Sequence, residues 1–342
     1  MDTFETARSG WNDLAVQSSN IFSTWEWAKT WWEHLSGRQK LNLAHARDQD
    51  GRTVAVLPLL TERRGAFRVS RFVGHGVADQ LGPVCHPRDA AAAARALNNA
   101  SEQQDVLLAE RLPASVDWRG LAGRVIREEE SPVISLADGG WEGYLASRSS
   151  NFRQQVRRRG RRLAREFDVS YRLSDEPARL QSDLDTLFAL HAARWNTASS
   201  AFACERMAFH RAFAEHAQEL GWLRLWIAES GDQPVAAWYG FRFAGVESYY
   251  QMGRDPSWDR SSVGAGVLEH SIREAAGDGI GEYRLLRGDE AYKSRYATAG
   301  TTLITVAVAH GLRGKAIVGA AGALAGSAGG RRLLSSVSTQ DA

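Results

Sequence analysis

Cysteine is scarce in this chain, and the patterns typical of exported or membrane-inserted proteins are missing. Its two cysteines, Cys85 and Cys204, are far apart, with no C-x-x-C pair and no histidine cluster beside them. We therefore expect no disulfide framework, no zinc site and reduced thiols. No run approaches the ~20 apolar residues that span a bilayer, and the first residues lack a basic segment followed by an apolar one. These absences predict a cytoplasmic protein without stable membrane insertion.

Lysine and net charge are low as well. Only four of the 42 lysines and arginines are lysine, and the net charge is +2. A charge this small does not predict nucleic-acid binding from bulk electrostatics, so no nucleic-acid partner is expected on this ground. The hydrophobic fraction of 44% and the charged fraction of 24% are typical of a globular protein. A chain of 342 residues is long enough for two domains.

Strand and helix patterns alternate along the chain. Residues 41–47 and 53–61 alternate in polarity around Asp50-Gly51, which predicts a β-hairpin. Residues 89–98 form an alanine-rich helical pattern, and residues 302–310 are β-branched like a strand. The sequence therefore predicts a mixed α/β (α+β) fold.

A glycine-containing helix start follows three predicted strands in the carboxyl-terminal half. The strands cover residues 223–229, 236–243 and 246–252, and Gly264 and Gly266 then open an apolar helical pattern. Glycine lets the backbone approach a ligand closely, and the unpaired N–H groups of a first helical turn attract phosphate. The third glycine of a dinucleotide fingerprint and a Walker A lysine are both missing. Two interpretations stay open, a phosphate cradle and an ordinary helix start with glycine near its cap.

An arginine-rich helix is predicted over residues 151–165. Phe152, Val156 and Leu163 fall on one face, and arginines, among them Arg157, cover most of the rest. Such a helix is either a solvated surface or a surface that contacts an anionic substrate or partner. We expect a mostly solvated face with one or two arginines that reach an anion.

Two motifs resemble a known family. Arg260 followed by Gly264-Ala265-Gly266 resembles the pyrophosphate loop of GNAT-fold acyltransferases, with one extra residue before the first glycine. Residues 286–293, LRGDEAYK, resemble the "LRGDEPYK" signature of the CelD-like (BioF2-like) acetyltransferases, which are related to the Fem-type aminoacyl transferases. Arg284 stands where this family usually has an acidic residue, and Ala291 stands in place of proline.

The resemblance covers roughly residues 20–310 and implies two GNAT-like domains in tandem, each a mixed, mostly antiparallel sheet flanked by helices. We expect an amino-terminal domain over residues 1–140, an acyl-CoA-binding domain over 141–312 and a disordered tail rich in glycine, alanine and serine over 313–342. The implied co-substrate is acetyl-CoA or another acyl-CoA, and no metal is expected.

The resemblance also implies roles for individual residues. Asp289 and Glu290 are the base candidates, Tyr292 could protonate the leaving thiolate, and Lys293 would orient Asp289 or hold an anion of the acceptor. Turn formation and capping of the sheet are the structural alternatives for these positions. The donor-binding candidates are Ala236, Trp238, Arg260, Val263, Gly264, Ala265 and Gly266.

Substrate-binding candidates are spread along the chain. Asp79 lies in a glycine-rich loop, where capping of a solvated turn is an equally good interpretation. His191-Ala192-Ala193-Arg194-Trp195 resembles the H-x-x-R-W helix ending of the family, although an isolated histidine on such a helix more often packs than reacts. The candidates are Asp79, Arg157, His191, Trp195 and Tyr250.

The implied function is transfer of an acetyl or other acyl group from acyl-CoA to an amine or hydroxyl of a small molecule or glycan precursor. Polysaccharide or cell-envelope biosynthesis is the implied setting. Two alternatives stay open, a Fem-type transferase that uses aminoacyl-tRNA and a non-catalytic accessory protein of polysaccharide biosynthesis.

Overall fold

The computed structural model describes residues 3–195, 199, 201–288 and 290–324. Asp289, for which we predicted a catalytic role, and residues 325–342, most of the predicted tail, lie outside the described residues. The chain divides into two compact units. The first contains the residues up to Glu130 together with those from Thr301 onward, and the second contains Ser131–Gly300.

Helices and strands alternate along the chain much as their patterns predict. The α-helices are α1 (Phe4–Ala7), α2 (Trp11–Ser18), α3 (Trp25–Leu35), α4 (Ala90–Ser101), α5 (Gly140–Ser147), α6 (Ser150–Glu166), α7 (Leu180–Trp195), α8 (Cys204–Glu219), α9 (Val263–Gly277), α10 (Ala291–Tyr296) and α11 (Gly311–Leu324). The strands are β1 (Lys40–Arg47), β2 (Thr53–Arg64), β3 (Phe67–Phe72), β4 (Val84–Cys85), β5 (Val106–Pro113), β6 (Arg124–Ser135), β7 (Val169–Leu173), β8 (Leu223–Ser230), β9 (Gln233–Phe243), β10 (Val246–Arg254), β11 (Glu282–Arg284) and β12 (Ala299–Ala309).

The first unit contains a mixed sheet. The predicted hairpin is present as the antiparallel pair β1–β2, and β3 continues it antiparallel before pairing in parallel with β5. β12 pairs antiparallel with β5, and β4 pairs with β2. Trp27 and Trp31 of α3 are buried, as their helical spacing indicates, and α4 packs on β1 and β2.

The second unit contains the sheet that carries the candidate site. β7, β8, β9 and β10 pair antiparallel in that order, β10 pairs in parallel with β11, and β11 pairs antiparallel with β6. α9 packs on β8, β9 and β10, whereas α7 packs on β9 and β10. β9 is therefore a central strand with both edges paired.

The arginine-rich helix α6 lies against α9 through an apolar stripe. Phe152, Val156 and Leu163 are buried in the same core cluster as Val267 and Ile272 of α9. The predicted division of this helix into a packed stripe and an arginine face is confirmed. Because arginine stems can cover apolar surface while the guanidinium stays in water, such a helix is stable at a surface.

One arginine of α6 is an exception because it points into the unit. Arg159 pairs with Glu269 of α9, and the Tyr296 hydroxyl of α10 donates to the same carboxylate oxygen at 2.6 Å. Glu269 is buried, and burial raises its pKa despite the lowering effect of Arg159. This ion pair and the tyrosine link three helices of the second unit.

Each unit thus combines a mixed, mostly antiparallel sheet with flanking helices, which confirms the predicted fold class. Within the described residues, no helix is both long enough and apolar enough to cross a bilayer. The beginning of the predicted tail is helical as far as Leu324. The predicted domain boundaries stay a prediction.

Candidate functional site

The candidate site lies where β10 separates from β11. The two strands pair over three residues, from Val246 opposite Glu282 to Ser248 opposite Arg284, and β11 then ends. β10 continues to Arg254 with its other edge paired to β9. No other strand in the described part of the chain pairs with the edge that β11 leaves. An open strand edge presents backbone N–H and C=O groups to which an extended ligand can bind.

The first turn of α9 follows the end of β10. A short 3-10 turn, Pro256–Ser261, leads to Ser262, which adopts the left-handed conformation with φ of 60° immediately before the helix. Gly266 donates its N–H to the carbonyl of Ser262, but none of the described residues accepts from the N–H groups of Val263, Gly264 and Ala265. Unpaired N–H groups at a largely buried helix start are the arrangement that binds phosphate oxygens.

The two glycines of this turn have different neighbours. A Cβ on Gly264 would lie 3.1 Å from Cδ of Arg254 and 3.2 Å from the Met252 sulfur, both on β10. A Cβ on Gly266 would lie 2.3 Å from Cδ1 of Leu163 on α6. Gly264 therefore keeps the turn close to the end of β10. Gly266, by contrast, is explained by packing between two helices.

The segment that resembles the family signature forms a tight turn before α10. Leu286 has a positive φ of 58° and Gly288 a φ of 128°. The buried ammonium of Lys293 donates to the carbonyl of Arg287 and lies 3.0 Å from the carboxylate of Glu290. Lys293 thus stabilises the turn that precedes Asp289, whereas the Glu290 side chain is about half exposed. The left-handed backbone conformation of Leu286 is strained, and strained residues are often found at functional sites.

Two tyrosine hydroxyls meet beside the open edge of β10. Tyr249 is the first residue of β10 beyond its pairing with β11, and its hydroxyl interacts with that of Tyr292 on α10 and with the Arg194 guanidinium. Burial, together with the neighbouring Tyr249, raises the pKa of Tyr292 well above its ordinary value. Tyr292 is therefore a neutral phenol at physiological pH, and a neutral phenol can donate a proton.

The carboxyl-terminal end of α7 lies on the same half of β10. A Cβ on Gly253 would lie 2.3 Å from the backbone nitrogen of His191, so glycine permits this close approach. Burial, with a smaller contribution from Arg194, lowers the pKa of His191 to about 4. The ring is neutral at physiological pH, and Gln251 of β10 is a hydrogen-bond partner of its side chain.

Aromatic rings surround His191 and Tyr250. The ring centroid of Phe202 lies 4.8 Å from that of His191 and 5.0 Å from that of His210, and His210 lies 5.3 Å from Tyr250. His210 is fully buried, and burial lowers its pKa to about 3. The structure therefore brings together two of the predicted substrate-binding residues, His191 and Tyr250. Trp195, at the end of α7, is partly exposed.

The remaining predicted residues lie elsewhere. Ala236 and Trp238 are buried on β9, and strand pairing on both edges uses their backbone groups, so the open edge belongs to β10 instead. Arg260 is exposed, and its carbonyl accepts from Arg162 at 3.4 Å. Arg157 is exposed on α6, 4.0 Å from Glu142.

One predicted substrate-binding position and the question of a metal site remain. Asp79 is a partly exposed residue of the first unit, in the glycine-rich loop in which it was predicted. In the part of the chain that the structure describes, no group of three or more histidine, cysteine, aspartate or glutamate side chains is arranged to hold a metal ion.

Sequence reasoning missed Tyr249, Gln251 and Arg254 on β10, and it quoted Arg194 only within a motif. The signal for Arg194 was its place in H-x-x-R-W, at the end of an amphipathic helix. The β10 residues had no signal of their own, because their role depends on where β11 ends.

The comparisons with known proteins agree with this geometry. Residues 150–294, all within the second unit, match the acetyltransferase (GNAT) domain family. A search of curated protein sequences finds no match.

Solved structures share the fold at low sequence identity. FemX superposes with a TM-score of 0.60 and 11% identity, over 89% of this chain and 96% of that chain. A conserved protein of unknown function from Bacteroides thetaiotaomicron superposes with a TM-score of 0.57 and 13% identity, over 89% and 97%. L-PGS from Bacillus licheniformis superposes with a TM-score of 0.52 and 11% identity, over 78% of this chain and 83% of that chain. Residues 150–294 are therefore similar to the acetyltransferase (GNAT) domain family, and the chain shares its fold with these solved structures.

Proposed function

We propose that the second unit transfers an acyl group from acyl-CoA to an amine or hydroxyl acceptor. The observation that carries this proposal is the open edge of β10, which leads from Tyr249 to the unpaired N–H groups at the start of α9. The end at Tyr249 suits a thioester, and the end at the start of α9 suits a diphosphate. The match of residues 150–294 to a GNAT domain supports the same activity.

Donor binding follows from the backbone groups. The N–H groups of Val263, Gly264 and Ala265 would hold the diphosphate, and the open edge of β10 would hold the pantetheine amides. β10 would hold the pantetheine instead of β9, the strand of the donor-binding candidates Ala236 and Trp238, because both edges of β9 are already paired. Bound CoA supplies a thioester, which is an acyl carbon attached to a leaving thiolate.

The chemistry requires a base, an acid and a means of stabilising charge. Asp289 or Glu290 would remove the acceptor proton as the nucleophile attacks the thioester carbonyl, and the C–S bond then breaks. Tyr292, a neutral phenol, would hydrogen-bond to the departing thiolate and is the candidate to give it a proton. Lys293 would hold the turn that positions Asp289.

Calorimetry with CoA tests donor binding. We expect the wild-type protein to bind CoA and Gly264→Val to weaken binding at least about tenfold, because the added methyl groups would displace Arg254 and crowd the first turn of α9. Gly160→Ala is the matched control, since no atom lies within 4 Å of its added Cβ. Full CoA affinity in Gly264→Val would refute diphosphate binding at the start of α9. Absence of CoA binding by the wild-type protein would refute acyl-CoA as the donor.

Turnover tests the base. Asp289→Asn should lower kcat by about 100-fold or more while leaving CoA affinity unchanged, because a base acts in the reaction and not in donor binding. Release of free CoA thiol measures this. Unchanged turnover would remove Asp289 from the mechanism and leave Glu290 as the candidate.

The acceptor we propose is a small molecule or a glycan precursor of polysaccharide or cell-envelope biosynthesis, and the compartment we propose is the cytoplasm. A catalytically silent accessory role in that biosynthesis is the remaining non-enzymatic alternative. Failure to bind any acyl-CoA in a thermal-shift screen would favour it.

A second candidate activity is transfer from aminoacyl-tRNA, as in Fem-type transferases. The observation that favours it is the solvent face of α6, where Arg158, Arg161 and Arg165 are exposed and form no ion pair with any described residue. Binding of tRNA measured at graded salt distinguishes the two donors. A steep loss of affinity with salt, together with no CoA binding, would favour tRNA.

A further inference from the structure

Arg194 lies beside the open edge of β10, and no described residue provides it with an acidic partner. Its guanidinium lies 4.4 Å from the ring centroid of Trp195 and interacts with the Tyr249 hydroxyl. Stacking on an aromatic ring holds a guanidinium in place and leaves its N–H groups available. The side chain is half-buried, so its charge is only partly solvated.

A second arginine increases the positive charge at this point. Arg254, at the end of β10, lies within electrostatic range of Arg194, and its carboxylate partner is Asp259. No carboxylate among the described residues lies within ion-pair distance of Arg194. Asp259 pairs with Arg254 and not with Arg194, and Glu290 is the described carboxylate that acts on Tyr249 together with Arg194.

Several other partly buried arginines of the second unit have a carboxylate partner, and Arg148 and Arg224 instead donate to backbone carbonyls. Arg159 pairs with Glu269, Arg172 with Asp183 and Glu229, and Arg242 with Glu247 and Asp278. Among the described residues, the contacts of Arg194 are instead the Trp195 ring and the Tyr249 hydroxyl, at the place where the sheet opens. Removing a guanidinium from water without a counter-ion is costly, so a bound anion would stabilise this arrangement.

We propose that Arg194 binds a carboxylate or phosphate group carried by one of the two substrates. This inference rests on the proposed function, which places the reacting thioester at Tyr249. Because Arg194 interacts with the Tyr249 hydroxyl, it would lie beside that thioester. Reacting atoms must approach to about 3–3.5 Å, so an anionic group within a few bonds of either reacting atom can reach Arg194. The diphosphate has its own donors at the start of α9.

The anion has two possible sources, the acceptor and the acyl chain. An anionic acceptor would bind to the enzyme already loaded with CoA. An acyl chain ending in a carboxylate would instead make one acyl-CoA bind more tightly than its uncharged counterpart. Both sources use the same bidentate guanidinium chemistry, so one set of variants tests both.

The experiment uses the full chain and calorimetry. Malonate and inorganic phosphate are titrated into the protein with and without saturating CoA, and succinyl-CoA is compared with butyryl-CoA. The variants are Arg194→Gln, which removes the charge, and Arg194→Lys, which keeps it without the fork. Arg179→Gln, at an exposed position just before α7, is the matched control.

We expect Arg194→Gln to lose affinity by about tenfold or more, either for malonate and phosphate or for succinyl-CoA relative to butyryl-CoA. Its affinity for CoA itself should stay at the wild-type value. Loss of malonate or phosphate binding identifies the acceptor as the anion carrier, and loss of a succinyl-CoA preference identifies the acyl chain. The affinities of Arg194→Lys should fall between those of Arg194→Gln and the wild type, and Arg179→Gln should behave as wild type.

Two results would overturn the inference. One is a wild-type protein that binds neither free anion and does not prefer succinyl-CoA. The other is an Arg194→Gln variant that equals the wild type in both arms. Failure of the proposed function has a different signature, namely absence of CoA binding in every variant, and the CoA-free titrations still test the anion site.

Discussion

Replacing Gly266 by alanine separates the packing role of this glycine from a role in ligand binding. The new Cβ would lie 2.3 Å from Leu163 Cδ1 and 2.9 Å from the Tyr171 hydroxyl. Leu163 is 1% exposed within the core cluster, so it has no free space into which to move. Overpacking of this kind costs about 1–3 kcal/mol. The gain in helix propensity from glycine to alanine offsets at most about 1 kcal/mol.

We therefore expect Gly266→Ala to lower the free energy of unfolding by about 1–2 kcal/mol, which lowers the melting temperature of a unit of this size by about 2–8 °C. Urea denaturation followed by circular dichroism measures the effect. Gly160→Ala is the matched control, because it lies within α6 with no atom within 4 Å of its added Cβ, and it should stabilise the protein by up to about 1 kcal/mol.

CoA affinity provides the second readout for Gly266→Ala. The added methyl group points toward α6, and the N–H groups of residues 263–265 are unchanged, so CoA should bind with wild-type affinity. Equal stability of the Gly266→Ala and Gly160→Ala variants would refute the packing argument. Loss of CoA affinity at full stability would instead give Gly266 a role in binding.

Two further predictions concern buried ionisable groups. Burial lowers the histidine pKa from 6.5 in the unfolded chain to about 4 for His75 and His191 and about 3 for His210, so protons bind preferentially to the unfolded state. Stability should therefore fall as the pH drops from about 6.5 toward 4, by on the order of 1–3 kcal/mol for each histidine, and melting temperatures that stay constant over this range would contradict the assignment. Arg159→Ala leaves the buried Glu269 carboxylate without its cation, so it should lower the free energy of unfolding by about 3–5 kcal/mol in urea denaturation. Arg158→Ala, on the exposed face of the same helix, should change that free energy by less than about 0.5 kcal/mol.

Local patterns predicted much of the fold. The turn at Asp50-Gly51 and its flanking strands are present as β1 and β2, and the apolar spacing of Phe152, Val156 and Leu163 identified the packed stripe of α6. These features depend on neighbours in sequence, since hairpin turns and helical periodicity are local. The family motifs likewise located α9 and the turn before α10.

Long-range pairing could not be inferred from the residues alone. The donor-binding candidates Ala236 and Trp238 lie on β9, yet β9 is central and the open edge belongs to β10, because that edge is created by the early end of β11. Gly264 and Gly266 are both donor-binding candidates by the motif, but Gly266 packs against Leu163, more than 100 residues earlier in the chain. Arg194 and Tyr249 meet only after α7 folds onto β10.

The central claim is that backbone N–H groups at the start of α9 bind the diphosphate of CoA. Selective ¹⁵N labelling of glycine, followed by NMR during a CoA titration, tests it directly. The account predicts that the Gly264 amide resonance shifts with the same affinity that calorimetry gives for CoA, while the Gly160 resonance does not move. A Gly264 resonance that stays unchanged while CoA binds elsewhere would contradict the account.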